Sequence, residues 1–365
     1  MPPSPPASAP RTAARSAASA PLGLIGIGLL GTVLAERLLA GGFAVVGHDL
    51  DAARLDAFRR AGGAPARDTA EILHRCDRIL LSLPSHSEVA ALLCAHATAL
   101  RPGVTLIDTT TGDPSTGEAL ARDLAARGVT YLDATISGSS AQMRAGTAVV
   151  MVGGERTAFD ACGDIFAQLG CETFHTGAPG SGAKMKLATN IVLGLNRAAL
   201  AEGLAFARGV GLDAAQALAI MRAGPAYSRI MDGKGEKMLT GDFTPEARLS
   251  QHLKDVRLIV EHGHAAGLPM PLSTTHREIL ESAESAGLGP LDNSALIRVL
   301  DGSATVNATA AAPTNGAAAF QPPTSPAPLP NGSSAHHQTP APNGSAALLP
   351  PPAASAAPTA SGTAR

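Results

Sequence analysis

The spacing of apolar residues changes character near residue 180. Before it, short apolar runs at 22–26, 43–48, 78–83, 104–108, 130–134, 147–152 and 172–175 alternate with helical patterns at 32–40, 52–60, from about 87, after Pro114 and at 156–169. Short buried strands alternating with helices predict a doubly wound, mainly parallel α/β sheet. After Gly182 the strand signals vanish, and helical periodicity at 183–209, 213–222, 247–266, 271–285 and 293–301 predicts an all-α C-terminal domain. The expected organisation is a nucleotide-binding domain over 22–179 and a helical substrate or dimerisation domain over 180–301. The flanks, 1–21 and 302–365, are rich in Ala, Pro, Ser and Thr and are expected to be a disordered arm and tail.

The first strand runs into Gly26-Ile27-Gly28-Leu29-Leu30-Gly31 and then a helix, which gives a G-x-G-x-x-G the strand-turn-helix context it needs. In such a Rossmann turn the first glycine permits the tight bend and the second admits a pyrophosphate. The third lets the helix pack, and the helix N-terminus offers free N–H groups to phosphate. Asp49 ends the second strand, about twenty residues on, where an acid accepts from the adenosine ribose. The alternative is a helix cap, which Asp51 serves equally well. Asp49 repels a 2'-phosphate, so NAD is favoured as cofactor, while Arg54 nearby leaves NADP open.

Other polar positions gather at strand ends. Leu83-Pro84 closes one strand; Thr110 and Thr111 close the next, as ligand contacts or as helix caps. Between 133 and 146 the hydroxyls of Ser137, Ser139 and Ser140 flank Gly138, a loop suited to cradling a carboxylate. Lys186 and Asn190, at i and i+4, share one helix face and can converge on a small ligand. Alone, that pair reads as a surface lysine near a helix start, and Lys254 as a solvated helix charge.

Composition narrows the partners. The 365 residues are 45% hydrophobic with a net charge of -2, which leaves no basic footprint for nucleic acid and no polybasic membrane patch. Cys76, Cys94, Cys162 and Cys171 follow no metal-ligand or C-x-x-C spacing, nor do the histidines, so no metal is expected and a reducing, cytoplasmic location is. Residues 1–21 lack the apolar segment of a secretory signal.

Taken together and in order, these residues resemble the beta-hydroxyacid dehydrogenases, which include 3-hydroxyisobutyrate dehydrogenases and tartronate semialdehyde (2-hydroxy-3-oxopropionate) reductases. The resemblance covers about 22–300. It rests on Gly26-x-Gly28-x-x-Gly31, the loop from Asp133 to Gly146, Gly180-x-Gly182-x-x-x-Lys186-x-x-x-Asn190 and Lys254-Asp255. It implies Lys186 as proton donor and acceptor, Asn190 orienting substrate, and Ser137, Gly138 and Ser139 binding its carboxylate. Leu83, Pro84 and Thr111 would lie against the cofactor, and Lys254 would close the site. A small hydroxy acid is the implied substrate and a homodimer or homotetramer the implied assembly. Thr135 and Ser139 depart from the family's usual proline and second glycine. A 6-phosphogluconate dehydrogenase-like enzyme and a non-catalytic dinucleotide-binding scaffold or sensor are the alternatives.

Overall fold

The apolar runs of the N-terminal half become strands of one sheet because successive bulky residues enter opposite cores. The computed structural model describes residues 20–170 and 172–304. The expected disordered arm and tail, apart from the positions adjoining the fold, lie outside the described residues, as does Cys171.

Strands β1 (Leu22–Ile25), β2 (Val45–His48), β3 (Ala64–Pro65), β4 (Arg78–Leu81), β5 (Thr105–Asp108), β6 (Thr130–Ser137), β7 (Val149–Gly153) and β8 (Glu172–Gly177) stand in the order β3-β2-β1-β4-β5-β6-β7-β8. Pairing is parallel from β3 through β6, β7 runs antiparallel to β6, and β8 is parallel to β7. Strand order reverses between β1 and β4, which opens a ligand crevice at their carboxyl ends.

Helices α1 (Leu29–Ala40), α2 (Ala52–Arg60), α3 (Thr69–Arg75), α4 (His86–Ala95), α5 (Pro114–Ala125), α6 (Ser140–Arg144), α7 (Arg156–Ala161) and α8 (Gly163–Leu169) connect the strands. Leu22, Leu24, Leu80, Ile107, Leu132 and Val150 face Val33, Leu34 and Leu38 of α1 and Phe166 of α8. Ile25, Ile79, Leu81 and Leu106 face the other way, toward Ile72 of α3, Val89 of α4 and Leu124 of α5. Coverage on both sides explains why these strands read as continuous apolar runs.

The helical region comprises α9 (Ser181–Gly209), α10 (Ala214–Ala223), α11 (Ile230–Thr240), α12 (Leu249–Ala265), α13 (Pro271–Ser285), a 3-10 turn at Asn293–Leu296 and α14 (Ile297–Leu300). Leu200 and Leu204 of α9 join Leu218, Met238, Leu253 and Leu280 in its core. No helix among the described residues is long and apolar enough to cross a membrane.

Several elements depart from the sequence-based expectation. The helix expected at 156–169 is split at Cys162 into α7 and α8. β6 runs three residues past the expected 134, to Ser137, because its second half gains β7 as a partner. Neither α3 nor α11 was expected. α11 carries Gly233 and Gly235, which weaken its helical signal. It is fixed instead by its packing and by Lys234, whose Nζ lies 2.9 Å from the fully buried Asp292 carboxylate.

Candidate active site

The nucleotide turn is the whole of Gly26-Ile27-Gly28, since β1 ends at Ile25 and α1 starts at Leu29. A Cβ on Gly26 would lie 2.3 Å from the Ser82 carbonyl oxygen, and one on Gly31 would lie 2.1 Å from that of Gly26. Those two glycines let β1, β4 and α1 touch. At Gly28 a Cβ would meet nothing nearer than the Arg54 side chain, at 3.8 Å. The open glycine therefore stands at the start of α1, which no side chain caps. Its first-turn amides, with exposed Leu29 and half-buried Leu30 beginning the helix, fit a phosphate.

Asp49 closes this turn from β2. Its Oδ2 accepts from the Ile27 amide at 2.6 Å, its Oδ1 accepts from the Asp51 amide at 2.9 Å, and Arg54 Nη1 lies 3.5 Å away. Asp51 caps α2. Asp49 is thus free of the capping role.

The loops after β4 and β5 are stitched together and then clamped. Thr110 Oγ1 accepts from the Leu83 amide at 3.2 Å, while Asp113 rather than a threonine caps α5. From α12, Lys254 Nζ donates to the Pro84 carbonyl at 3.1 Å and to the Thr111 carbonyl at 2.9 Å. A second tie joins His262 Nε2 to Asp113 Oδ1 at 2.7 Å. Burial pushes the Asp113 carboxyl up, but hydrogen bonds from Thr116, Ser115 and His262 outweigh it and hold it below the usual range. Sequence reasoning missed His262 because its partner lies 149 positions away.

Lys186 is set in place by the start of α9. β6 exchanges its parallel partner for its antiparallel one at Asp133, whose carboxylate accepts from the Gly180 amide at 2.9 Å and the Ala183 amide at 2.8 Å. This buried side chain caps α9 across the chain. A Cβ on Gly182 would fall 2.4 Å from the Asp133 carbonyl oxygen and 2.7 Å from that of Met151, so only glycine lets the helix lie this close to the sheet. Thr135 Oγ1 donates to the Gly182 carbonyl at 2.9 Å.

Pressed against the sheet, α9 carries Lys186 to the end of β6, where its Nζ donates to the Ile136 carbonyl at 2.7 Å. Lys186 is 8% exposed and Asn190 4%. Burial lowers the Lys186 ammonium from its ordinary value, and the Asp255 carboxylate opposes that shift. Asn190 Nδ2 donates to Asp255 Oδ2 at 3.1 Å. Burial pushes Asp255 up to about 6, against the pull of Lys254, Lys186 and the Asn190 hydrogen bond. Asp255 thus joins the site, and its only sequence signal was its place after Lys254.

Ser137 ends β6, and Gly138 leads from it into Ser139. The Ser139 hydroxyl accepts from the Gln142 amide at 3.2 Å, and the Ser139 amide donates to Gln142 Oε1 at 2.8 Å. Both groups serve the capping box of α6. Among the described residues, the hydroxyls of Ser137 and Ser140 and the Gly138 amide make no hydrogen bond, and Ser137 and Gly138 directly follow Ile136, whose carbonyl holds Lys186.

The expected site residues therefore fall into three groups: Gly26 to Gly31 with Asp49; Leu83, Pro84 and Thr111 under Lys254; and Ser137 to Ser139 with Lys186 and Asn190. Helix α12 touches the second through Lys254 and the third through Asp255.

Residues 21–177 match the model of the NAD binding domain of 6-phosphogluconate dehydrogenase. Residues 180–300 match that of the NAD-binding domain of NADP-dependent 3-hydroxyisobutyrate dehydrogenase. L-threonate dehydrogenase from Cupriavidus necator is 31% identical over 77% of this chain and 96% of its own length. The chain belongs to the beta-hydroxyacid dehydrogenase family. Within the beta-hydroxyacid dehydrogenases it is also similar to 2-hydroxy-3-oxopropionate reductase from Escherichia coli, at 30% identity over 77% of this chain and 97% of that one. A crystal structure of 3-hydroxyisobutyrate dehydrogenase from Salmonella typhimurium shares the fold, with a TM-score of 0.72 and 24% identity over 77% of this chain and all of that one. The two NAD(P)-binding matches, over 21–177 and 180–300, together span nearly all of the described residues.

Proposed function

We propose that the protein is an NAD(P)-dependent dehydrogenase of a short beta-hydroxy acid, of the 3-hydroxyisobutyrate or tartronate semialdehyde/glycerate type. The observation that carries this reading is Lys186, buried beside Asn190 at the mouth of the Ser137-Gly138 loop and held by a carbonyl oxygen rather than by a carboxylate. A lysine so placed is biased toward the neutral amine that a proton acceptor must be.

The nicotinamide, when bound, takes up or returns the hydride. The chain's own residues do the rest. In oxidation Lys186 Nζ accepts the hydroxyl proton as the carbonyl forms, and in reduction it gives that proton back. Asn190 orients the reacting oxygen, with its amide fixed by Asp255. Ser137 and the Gly138 backbone hold the carboxylate, with Ser139 shaping that loop through its cap. Gly26, Gly28, Leu29, Leu30 and Gly31 receive the pyrophosphate, and Leu83, Pro84 and Thr111, held by Lys254, line the nicotinamide end.

We assign NAD as the preferred cofactor, because the Asp49 carboxylate meets a ribose hydroxyl better than a 2'-phosphate; Arg54 lets NADP bind more weakly. Residues 22–179 serve as the nucleotide domain and 180–301 as the substrate and dimerisation domain. Met185, Val192 and Phe206 leave an exposed apolar strip along α9, at 44%, 60% and 66% exposure, which suits a homodimer or homotetramer. The free thiols of Cys76, Cys94 and Cys162 suit the cytoplasm.

Replacing Lys186 with Ala tests the assignment. Turnover of the best hydroxy acid is expected to fall by roughly 10²–10⁴ while NAD+ still binds. In the wild type, oxidation is expected to rise with pH through a group titrating below the free-lysine value of about 10.4. Near-wild-type turnover of Lys186→Ala across the pH range would refute the role.

A further inference from the structure

Past Asn190 the buried stripe of α9 continues through Gly194 to Arg197, where several buried polar atoms make no hydrogen bond among the described residues. Arg197 is 2% exposed, His252 of α12 6% and His276 of α13 3%, as inaccessible as Lys186 and Asn190. Among the described residues, Arg197 Nε and Nη1, His252 Nε2, His276 Nε2 and Asp255 Oδ1 make no hydrogen bond. The two imidazoles lie with ring centroids 5.2 Å apart. They rest against Gly194, where a Cβ would fall 2.6 Å from His276 Cε1 and 2.8 Å from His252 Nε2.

A buried polar group left unpaired costs about 1–3 kcal/mol, so a cluster of them calls for an occupant. Its position says which. Gly194 lies one helical turn, about 6 Å, beyond Asn190, and His252 lies one turn from Asp255 on the facing helix. The cluster therefore extends the Lys186–Asn190–Asp255 site. Arg197 can only donate, an ionised Asp255 can only accept, and each free imidazole nitrogen does one or the other according to tautomer. An alkyl group satisfies none of them, and a second carboxylate or a phosphate would meet Arg197 but oppose Asp255. Hydroxyl groups, which both donate and accept, satisfy the whole set.

We infer that Arg197, His252 and His276 form a specificity subsite for hydroxyl groups on the part of the substrate beyond the reacting carbon, so that the enzyme selects polyhydroxylated acids over alkyl-substituted ones. The inference rests on the dehydrogenase reading and narrows its substrate class.

The test uses the full chain with NAD+ and compares kcat/KM for the four-carbon aldonic acids, threonic and erythronic in both enantiomers, with that for 3-hydroxyisobutyrate. At least one aldonic acid is expected to be favoured by about tenfold or more. His252→Leu and Arg197→Met are each expected to lower that ratio about tenfold, the equivalent of 1.4 kcal/mol, with NAD+ affinity and Tm reporting folding. Where Arg197→Met fails to fold, His252→Gln, which keeps a hydrogen-bonding group, is expected to recover part of the ratio lost in His252→Leu. A wild type that uses 3-hydroxyisobutyrate as well as any aldonic acid overturns the subsite alone. So do variants that lose both activities in step, which would make the cluster structural. A wild type that binds NAD+ and turns over no hydroxy acid overturns the dehydrogenase reading as well.

Discussion

Lys186 and Asp255, whose carboxylate accepts from Asn190, each offset the shift that burial imposes on the other. Burial drives Lys186 toward the neutral amine, and the Asp255 carboxylate pulls it back toward the ammonium. Asp255 is itself pushed up to about 6 by burial, so its influence on Lys186 grows as pH rises past that value. Asp255→Asn keeps an oxygen for the Asn190 amide and removes the charge. Because the lost charge was holding the Lys186 proton, the rise of oxidative kcat/KM with pH is expected to move to lower pH in this variant. A profile that stays in place would show that Lys186 and Asp255 do not titrate against each other. At this scale the sequence displayed the lysine and its i+4 asparagine but not their environment. Whether Lys186 lies in water or against Ile136 depends on a strand fifty positions earlier.

The start of α9 shows how much one helix cap controls. Gly182→Ala would place a methyl group against two backbone oxygens, and backbone cannot swing aside as a flexible side chain can. The expected cost is about 1–3 kcal/mol of stability, with a further loss of turnover as Lys186 is lifted from the Ile136 carbonyl. Thermal melts and single-turnover rates measure the two effects. α11 gives the opposite lesson on what a sequence displays. Strands β1, β2, β4 and β5 were legible because each is buried on both faces and therefore continuously apolar. α11 was not, because its position depends on Lys234 and Asp292, 58 residues apart. Burial raises the Asp292 carboxyl, but Lys234, Ser294 and the Glu246 amide overcome it and hold it at about 2. A carboxyl depressed in the fold contributes stability above its unfolded value of about 3.9 and loses it as pH falls toward its folded value. The helical region is thus expected to weaken between about pH 4 and pH 2. Asp292→Ala, which leaves Lys234 only the partly exposed Glu246 carboxylate at 3.1 Å, is expected to cost about 1–3 kcal/mol at neutral pH and to flatten that acid limb in urea titrations.

For the whole molecule, the decisive geometry is that one helix reaches both halves of the proposed site. α12 presents Lys254 to the loops after β4 and β5 and, one residue on, Asp255 to α9. Neighbours on a helix point about 100° apart, so a Lys-Asp pair at this point can address the nucleotide crevice and the acid/base pair together. The sequence showed the pair and not the reason for it. Among the described residues, the carboxylate oxygen nearest Lys254 is Asp255 Oδ1 at 3.9 Å, and the Lys254 hydrogen bonds go to the Pro84 and Thr111 carbonyls. Its work is therefore to hold two loops at a fixed separation. Lys254→Met keeps most of the side chain's length and removes both bonds. NAD+ affinity is expected to weaken about tenfold, near 1.4 kcal/mol, below the sum for two charged hydrogen bonds because Lys254 is partly solvated and water can replace it at the carbonyls. Hydrogen exchange at Leu83 and at Thr110 to Gly112 is expected to accelerate in the same variant, while Lys186→Ala leaves those amides protected. If Lys254→Met binds NAD+ as tightly as wild type and its loop amides stay protected, the clamp is carried instead by the His262–Asp113 contact, and adding His262→Ala to Lys254→Met should then release both loops at once.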